Sequence, residues 1–307
     1  MSFDAPIGTI HFPGSAGVCA VIVTYNIGGA IHRCVDSIRG QVGHVVIVDN
    51  ASDERTRQEL QRTDSTDSVT IILNQKNEGI ARAMNQGVEW ARAKGFRWVL
   101  TLDHDSKATP GMVDKLLQAY QALSKRGRPD IGIIGTNPFD ENGQVYLRGC
   151  RPGDFGGECV EHASLISSGS LIECRAFDAV GLFDEALFLY YVDDDFCLRL
   201  RRSGFRHYLC PEAVLLHRES AKESRRFLWR QVFYDRYGHR ARYYLARNAF
   251  YLIKKHHLGW AASWPLIDRL VRDHLKLFVY DHERFSKTWY SVRGLVDAMR
   301  GRFGRLD

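Results

Sequence analysis

Nowhere in the 307 residues is there an uninterrupted apolar run of the roughly 18–20 residues that a bilayer-spanning helix needs. The N-terminus also lacks a basic segment followed by an apolar one, so no secretory leader is read there. The chain is therefore expected to be cytoplasmic, neither secreted nor integral to a membrane. The seven cysteines are an odd number and include no C-x-x-C pair, which argues against a disulfide framework and against structural zinc. No G-x-G-x-x-G follows the first apolar run, where Tyr25-Asn26-Ile27-Gly28-Gly29 stands instead, and this argues against a dinucleotide-dependent oxidoreductase. Internal repeats and low-complexity tracts are missing as well.

What is present is an ordinary globular composition, 45% apolar and 25% charged, with length enough for a sizeable core. The net charge of +6 conceals an asymmetry: residues 218–307 hold 20 Lys and Arg against 9 Asp and Glu, and residues 1–217 hold 22 against 27. The acidic part suits a metal ion, and the basic part suits an anionic partner.

Val18 to Tyr25 is a β-branched run with the continuous apolar character of a strand buried on both faces. A helix from about Ala30 to Arg39, a strand His44 to Asp49, a helix capped at Ser52, and a strand Val69 to Leu73 follow. Next come a helix from Ile80 to Lys94 and a strand Arg97 to Leu102. This alternation predicts an α/β fold with a parallel sheet and helices on both faces. From Ile131 the pattern turns irregular through Gly157, then regains a helix around Asp193 to Arg202 and a short strand ending before His217. Ligands of such sheets bind at the carboxyl ends of the strands. The residues to examine are thus Thr24-Tyr25-Asn26, Asp49-Asn50, Asn74 to Gly79 and Asp103-His104-Asp105.

Asp103 and Asp105 stand one residue apart directly after a strand, and paired hard oxygens there suit Mg2+ or Mn2+ shared with a diphosphate. The other reading of this pair is an N-cap for the helix that begins after Thr109-Pro110. Asp193-Asp194-Asp195 forms a second acidic group at a helix start, where capping and chemistry can coexist.

Five ordered blocks resemble glycosyltransferase family 2: Val21 to Asn26, Val46 to Ser52, Asn77 to Gly87, Leu102 to Ser106, and Phe183 through Arg199 with Pro211-Glu212-Ala213 and His217. Within the family, the Leu102 to Ser106 block and Ser168 to Ile172 look most like rhamnosyltransferases that use dTDP-L-rhamnose; a UDP-sugar such as UDP-galactofuranose is the alternative donor. The resemblance implies a GT-A fold, a Rossmann-like mixed sheet flanked by helices. Its catalytic domain would span 15–217, with a nucleotide-binding half over 15–130 and an acceptor half over 131–217. A basic helical extension would follow over 218–307. It implies an inverting, metal-dependent enzyme that transfers a sugar to a saccharide or lipid-linked saccharide in cell-surface polysaccharide synthesis.

By the same resemblance, Thr24, Tyr25, Asn26, Asp49 and Asn50 hold the base and ribose. Asp49 is an acceptor suited to the N3–H of thymine or uracil. Asn77, Gly79, Arg82, Asp103 and His104 complete the donor site, with Asn85 and Gly87 as weaker members or plain helix-surface residues. Asp193 falls at the catalytic-base position, and Ser168, Gly169 and Asp195 fall on the acceptor side, Asp195 being alternatively a helix cap. His217 matches the third metal ligand of related galactofuranosyltransferases, beside Asp103 and Asp105. The remaining histidines, His256-His257 among them, read as solvent-facing or interfacial.

Beyond Arg218 the Phe227-Leu228-Trp229 and Phe250 to Ile253 clusters stand next to cations, as in interfacial helices. An anionic membrane surface or a homodimer is the expected partner of this segment, and nucleic acid is not. The alternative is that its apolar faces simply pack internally.

Overall fold

The computed structural model describes residues 14–63, 68–128, 130–139, 157–217, 222–227 and 230–306. Two compact units divide the chain, each taken as far as its residues are described. The first is Met1–Glu78, Arg82–Phe183 and Phe196–Arg218; the second is Gly79–Ala81, Asp184–Asp195 and Glu219–Asp307.

The first unit is built on a mixed sheet of nine described strands. β1 (Val18–Thr24), β2 (His44–Asp49), β3 (Val69–Leu73) and β4 (Trp98–Asp103) are parallel, with β1 between β2 and β4. Val18 to Ile22 are wholly buried, as a continuous β-branched run inside a parallel sheet requires. Helices α1 (Ile31–Ile38), α2 (Glu54–Thr63) and α3 (Ile80–Ala93) alternate with these strands, and α4 (Met112–Lys125) follows a two-residue strand, β5 (Lys107–Ala108). The start of α2 differs from expectation. Asp53 is the cap, its carboxylate accepting from the Thr56 N–H at 2.9 Å, while the Ser52 hydroxyl accepts from the Asn26 N–H at 2.9 Å.

The irregular stretch expected after Ile131 instead opens with a nine-residue strand, β6 (Ile131–Phe139), buried along all but its last residue. Its glycines and proline dilute the apolar signal for a packing reason. A side chain at Gly132 would press on Phe205 at 3.0 Å and on His207 at 3.3 Å. Residues 140–156, the rest of that stretch apart from Gly157, lie outside the described residues. β7 (Val160–His162), β8 (Ser170–Glu173), helix α5 (Cys174–Val180), helix α6 (Val192–Arg202) and β9 (Arg206–Leu216) complete the order. β8 runs antiparallel between β4 and β6, and β6 pairs with β9 in parallel.

In the second unit the helical run expected from Arg218 begins instead with an antiparallel hairpin, β10 (Lys222–Phe227) and β11 (Arg230–Asp235). Leu228 and Trp229 lie outside the described residues. Helices α7 (His239–Lys255), α8 (Trp260–Tyr280) and α9 (Arg284–Met299) follow. No described helix is long and apolar enough to cross a membrane.

Candidate functional site

Strand register decides what meets at the carboxyl edge of the first sheet. Thr24 pairs with Asp49 across β1 and β2, and Val23 pairs with Asp103 across β1 and β4. Asp49 is fully buried; one carboxylate oxygen accepts from the Ser52 N–H at 3.1 Å, and the other has no protein partner. The Thr24 hydroxyl is buried and likewise without one. Buried acceptors are almost always satisfied, so this edge offers an acceptor and a hydroxyl to an incoming ligand. Tyr25 beside them is 45% exposed.

Other members of the expected donor set have structural tasks. The Asn50 side chain donates to Asn77 Oδ1 at 3.0 Å and accepts from the Glu78 N–H at 2.9 Å, folding the loop after β3 back onto β2. Asn26 adopts a left-handed conformation and accepts from the Asp53 N–H at 2.7 Å. Asn85 is buried and exchanges two hydrogen bonds with the Phe183 backbone, each 2.9 Å, so it is a core clamp and not a surface residue. Gly87 is likewise internal, since a Cβ there would meet Val21 at 2.3 Å. Gly79 has φ +88°, and a Cβ would strike Phe188 at 2.6 Å, which explains the glycine within its own unit. Arg82 lies 3.7 Å from Glu89.

The metal candidates converge. Ligand atoms of Asp103, Asp105 and His217 all lie within 4.8 Å of one another. His217 Nε2 is 3.8 Å from Asp103 Oδ2, and His217 Nδ1 is 3.6 Å from Asp105 Oδ1. Ligands at about 2.0–2.2 Å from one ion stand roughly 3–4.4 Å apart, so a small adjustment would seat a divalent cation. The Ser106 hydroxyl meets His217 Nδ1 at 2.9 Å and Ser168 Oγ at 2.7 Å, and the Asp103 N–H donates to Ser168 Oγ at 3.0 Å. When Nδ1–H donates to Ser106, the Nε2 lone pair is left toward Asp103, the orientation a ligand needs. Burial raises the Asp103 carboxyl above its ordinary pKa, with His217 opposing and Asp105 reinforcing the shift. A cation bound there would relieve that cost to the Asp103 carboxylate.

The alternative helix-cap role of this pair does not hold. The N-cap of α4 is Gly111, and no side chain caps it. His104 directs Nδ1 at the Val23 carbonyl, 3.2 Å away, at the end of β1. Of Ser168 and Gly169, expected on the acceptor side, Ser168 braces the Asp103 and Ser106 loop and Gly169 packs against Thr136. Ser168 is buried against Asp103 and Ser106, and Gly169 has φ +82° with Thr136 Oγ1 only 2.0 Å from where a Cβ would lie.

In the second unit Asp193 and Asp194 are half-buried in the first turn of α6, and Asp193 Oδ1 accepts from the Asp194 N–H at 3.1 Å. Ahead of them, Phe188, Tyr190 and Tyr191 all have positive φ, a conformation costing on the order of 1–3 kcal/mol for each such residue. Asn248 and Arg247 hold this segment. The Asn248 amide donates to the carbonyls of Leu187, Leu189 and Tyr190, and the Arg247 guanidinium donates to those of Ala186, Leu187 and Gly304.

Asp195 faces inward. It is 0% exposed, and its Oδ1 accepts from Lys255 Nζ at 2.6 Å and meets His256 Nε2 at 2.8 Å. That geometry removes it from acceptor contact and contradicts a solvent-facing His256, which is 3% exposed. Lys255 also donates to Asp184 Oδ2 at 2.6 Å, joined by the Tyr251 hydroxyl at 2.8 Å. Burial works against the Asp184 carboxylate, but Lys255 and Tyr251 outweigh it and hold its pKa below the ordinary value. Lys255→Met is expected to cost about 3–5 kcal/mol, since it leaves buried carboxylates without their shared cation. Because the Asp184 pKa is depressed in the folded state, its contribution is present above the ordinary carboxylate pKa and lost as pH falls through the lowered value. Urea melts at neutral and acidic pH check both points: the variant and wild type should converge in acid.

The expected Phe250 to Ile253 cluster is partly buried: Leu252 is buried, Phe250, Tyr251 and Ile253 are half-buried, and Tyr251 and Lys255 are engaged with Asp184. The exposed apolar groups lie elsewhere, at Trp260, Trp264, Val271 and Leu275 on α8 and at Phe285 and Trp289 on α9.

Residues 19–127 match the model of glycosyl transferase family 2. A dTDP-rhamnosyl transferase, RfbF, of Shigella flexneri is 28% identical over 255 residues, covering 80% of this chain and 82% of its own length. An N-acetylglucosaminyl-diphospho-decaprenol L-rhamnosyltransferase of Mycobacterium tuberculosis is 26% identical over 298 residues, covering 83% of this chain and 91% of its own. The mannosyltransferase PcManGT of Pyrobaculum calidifontis, solved with GDP-Man and Mn2+, superposes with a TM-score of 0.51 over 94% of this chain and 76% of that one, at 17% identity. At that identity the likeness is one of fold.

Proposed function

We propose that the chain is a glycosyltransferase of family 2, whose model matches residues 19–127, and that on its GT-A fold it transfers L-rhamnose from dTDP-L-rhamnose, with inversion, to a saccharide or lipid-linked saccharide hydroxyl. The observation that carries this reading is the convergence of Asp103, Asp105 and His217 at one strand edge. The unpaired Asp49 oxygen at that edge supports it, because thymine presents an N3–H to such an acceptor. Asp103, Asp105 and His217 would hold Mg2+ or Mn2+, which when bound offsets charge on the departing nucleoside diphosphate. Ser106 orients His217, and Ser168 fixes the Asp103 backbone. Asp193 takes the acceptor hydroxyl proton as that oxygen attacks C1 from the face opposite the diphosphate. The donor is read from the two rhamnosyltransferase relatives. Thermal melts test the nucleotide: dTDP with Mn2+ should raise Tm more than UDP with Mn2+. A larger response to UDP would favour a UDP-sugar such as UDP-galactofuranose.

The basic second unit supports docking on an anionic leaflet, where a lipid-linked acceptor would reside. Exposed Trp260, Trp264, Phe285 and Trp289 stand among the exposed cations Arg272, Arg284 and Arg293, the composition of an interfacial surface. Each cation contributes about 1 kcal/mol near such a leaflet and loses it to screening. Sedimentation with phosphatidylglycerol vesicles should therefore be strong at low salt and fall steeply as salt rises. A dimer by light scattering with no vesicle binding would assign the face to a second copy.

A further inference from the structure

Away from the strand edge, the first unit contains a cavity of about 320 Å3, lined among others by Lys115, Arg126, Glu158, Glu212 and two cysteines, Cys159 and Cys210. Cys159 immediately precedes β7, and Cys210 lies in β9. β7 pairs antiparallel with β9 so that Val160 faces Leu209, and continuing that register by one residue sets Cys159 opposite Cys210. Directly opposed residues of an antiparallel pair have Cα atoms about 4.5–5.5 Å apart, inside the roughly 4.4–6.8 Å range that a disulfide accepts. Cys159 packs half-buried against the core that contains Cys210, and the two side chains are in hydrogen-bond contact.

We propose that Cys159 and Cys210 are a peroxide-reactive dithiol that closes to a cross-strand disulfide within this cavity. The Cys159 thiol, hydrogen-bonded to the Cys210 sulfur, pulls the Cys210 pKa down to about 7, against the opposing effect of burial. Burial instead pushes Cys19, Cys34 and Cys174 up, so those thiols are poor nucleophiles. The Cys210 thiolate attacks one oxygen of hydrogen peroxide, the O–O bond breaks, and a sulfenic acid forms as hydroxide leaves and takes up a proton to become water. The Cys159 sulfur then displaces the sulfenic oxygen as a second water. Two thiols and one peroxide become one disulfide and two waters, and the two electrons come from sulfur.

Cys210 is also the last residue of β9 before its bulge, where pairing to β6 jumps from Thr136↔Cys210 to Asn137↔Val214. A bond at that point would pin the strand just ahead of the segment that leads to His217.

The test is to treat the full chain with a few equivalents of hydrogen peroxide and measure its intact mass and its peptide map. The expected result is a loss of about 2 Da, one linked peptide pair containing Cys159 and Cys210, and reversal by dithiothreitol. Cys159→Ser and Cys210→Ser should each abolish the linkage. Cys159→Ser, at the half-buried position, is compared with wild type by circular dichroism to show that its fold is kept. Linkage through Cys150 or any other thiol would overturn the proposal. So would oxygen addition without loss of 2 Da, or undiminished native alkylation of both cysteines after peroxide.

Discussion

Asp193→Asn should lower kcat by about 10²–10⁴, the usual effect of removing a general base, while dTDP and metal binding remain within about twofold of wild type. The amide keeps the size and the acceptor oxygen of the carboxylate, so the hydrogen bond from the Asp194 N–H survives, but it cannot take a proton. The metal group draws its ligands from the end of β4 and from the residue after β9, so none of them is altered. The neighbouring Asp195→Asn provides the contrast. It weakens the bonds from Lys255 and His256 in a fully buried place, so its expected effect is on stability before rate. Initial rates and calorimetric dTDP binding separate the two variants, and an Asp193→Asn enzyme within about tenfold of wild-type kcat would remove Asp193 from the base position.

The second large effect concerns the cation. Chelation should stop turnover, Mn2+ or Mg2+ should restore it, and Asp105→Ala should weaken dTDP binding by on the order of 10–100-fold while thymidine binding is unchanged. Loss of a charge-assisted contact of about 1.5–3 kcal/mol sets that scale. The melting behaviour should follow. Since burial raises the Asp103 pKa in the folded state, the metal-free chain has this stability in full below the ordinary carboxylate pKa and loses it as pH rises through the raised value. At neutral pH added Mn2+ should therefore raise Tm, and Asp103→Asn should blunt that response. Calorimetry of dTDP and thymidine with each variant, plus melts with and without Mn2+, measures all of this.

Asp103 and Asp105 are legible in the sequence because they follow an unmistakable buried strand, and in such a sheet the strand end is where ligands lie. His217 also follows a strand, but its place as a third ligand comes from the family resemblance, since a lone histidine at a strand end carries little signal by itself. Register then does what no sequence pattern reveals, setting Thr24 beside Asp49 and Val23 beside Asp103. The supports are the illegible part. Ser106 and Ser168 stand in blocks that the resemblance marks, but their link to His217 is hidden until β4 and β8 pair, and only then does their hydroxyl chain reach it. Lys255, His256, Arg247 and Asn248 sit in a basic helical stretch whose charges read as solvated. Their partners lie about sixty residues earlier, in a segment with left-handed backbone that periodicity cannot foresee. β6 was hidden differently: its glycines, placed for close packing, look like loop residues. The hairpin of β10 and β11 lay inside a stretch whose aromatic and basic clusters suit an interfacial helix equally well.

The most direct measurement is release of nucleoside diphosphate from a panel of nucleotide sugars, dTDP-β-L-rhamnose and UDP-galactofuranose included, with a panel of saccharide and lipid-linked saccharide acceptors and with either Mn2+ or EDTA. The expected result is release of dTDP from dTDP-L-rhamnose with Mn2+ and none with EDTA. Turnover undiminished by EDTA, or no turnover of any nucleotide sugar with metal present, would contradict a metal-dependent transferase built on Asp103, Asp105 and His217.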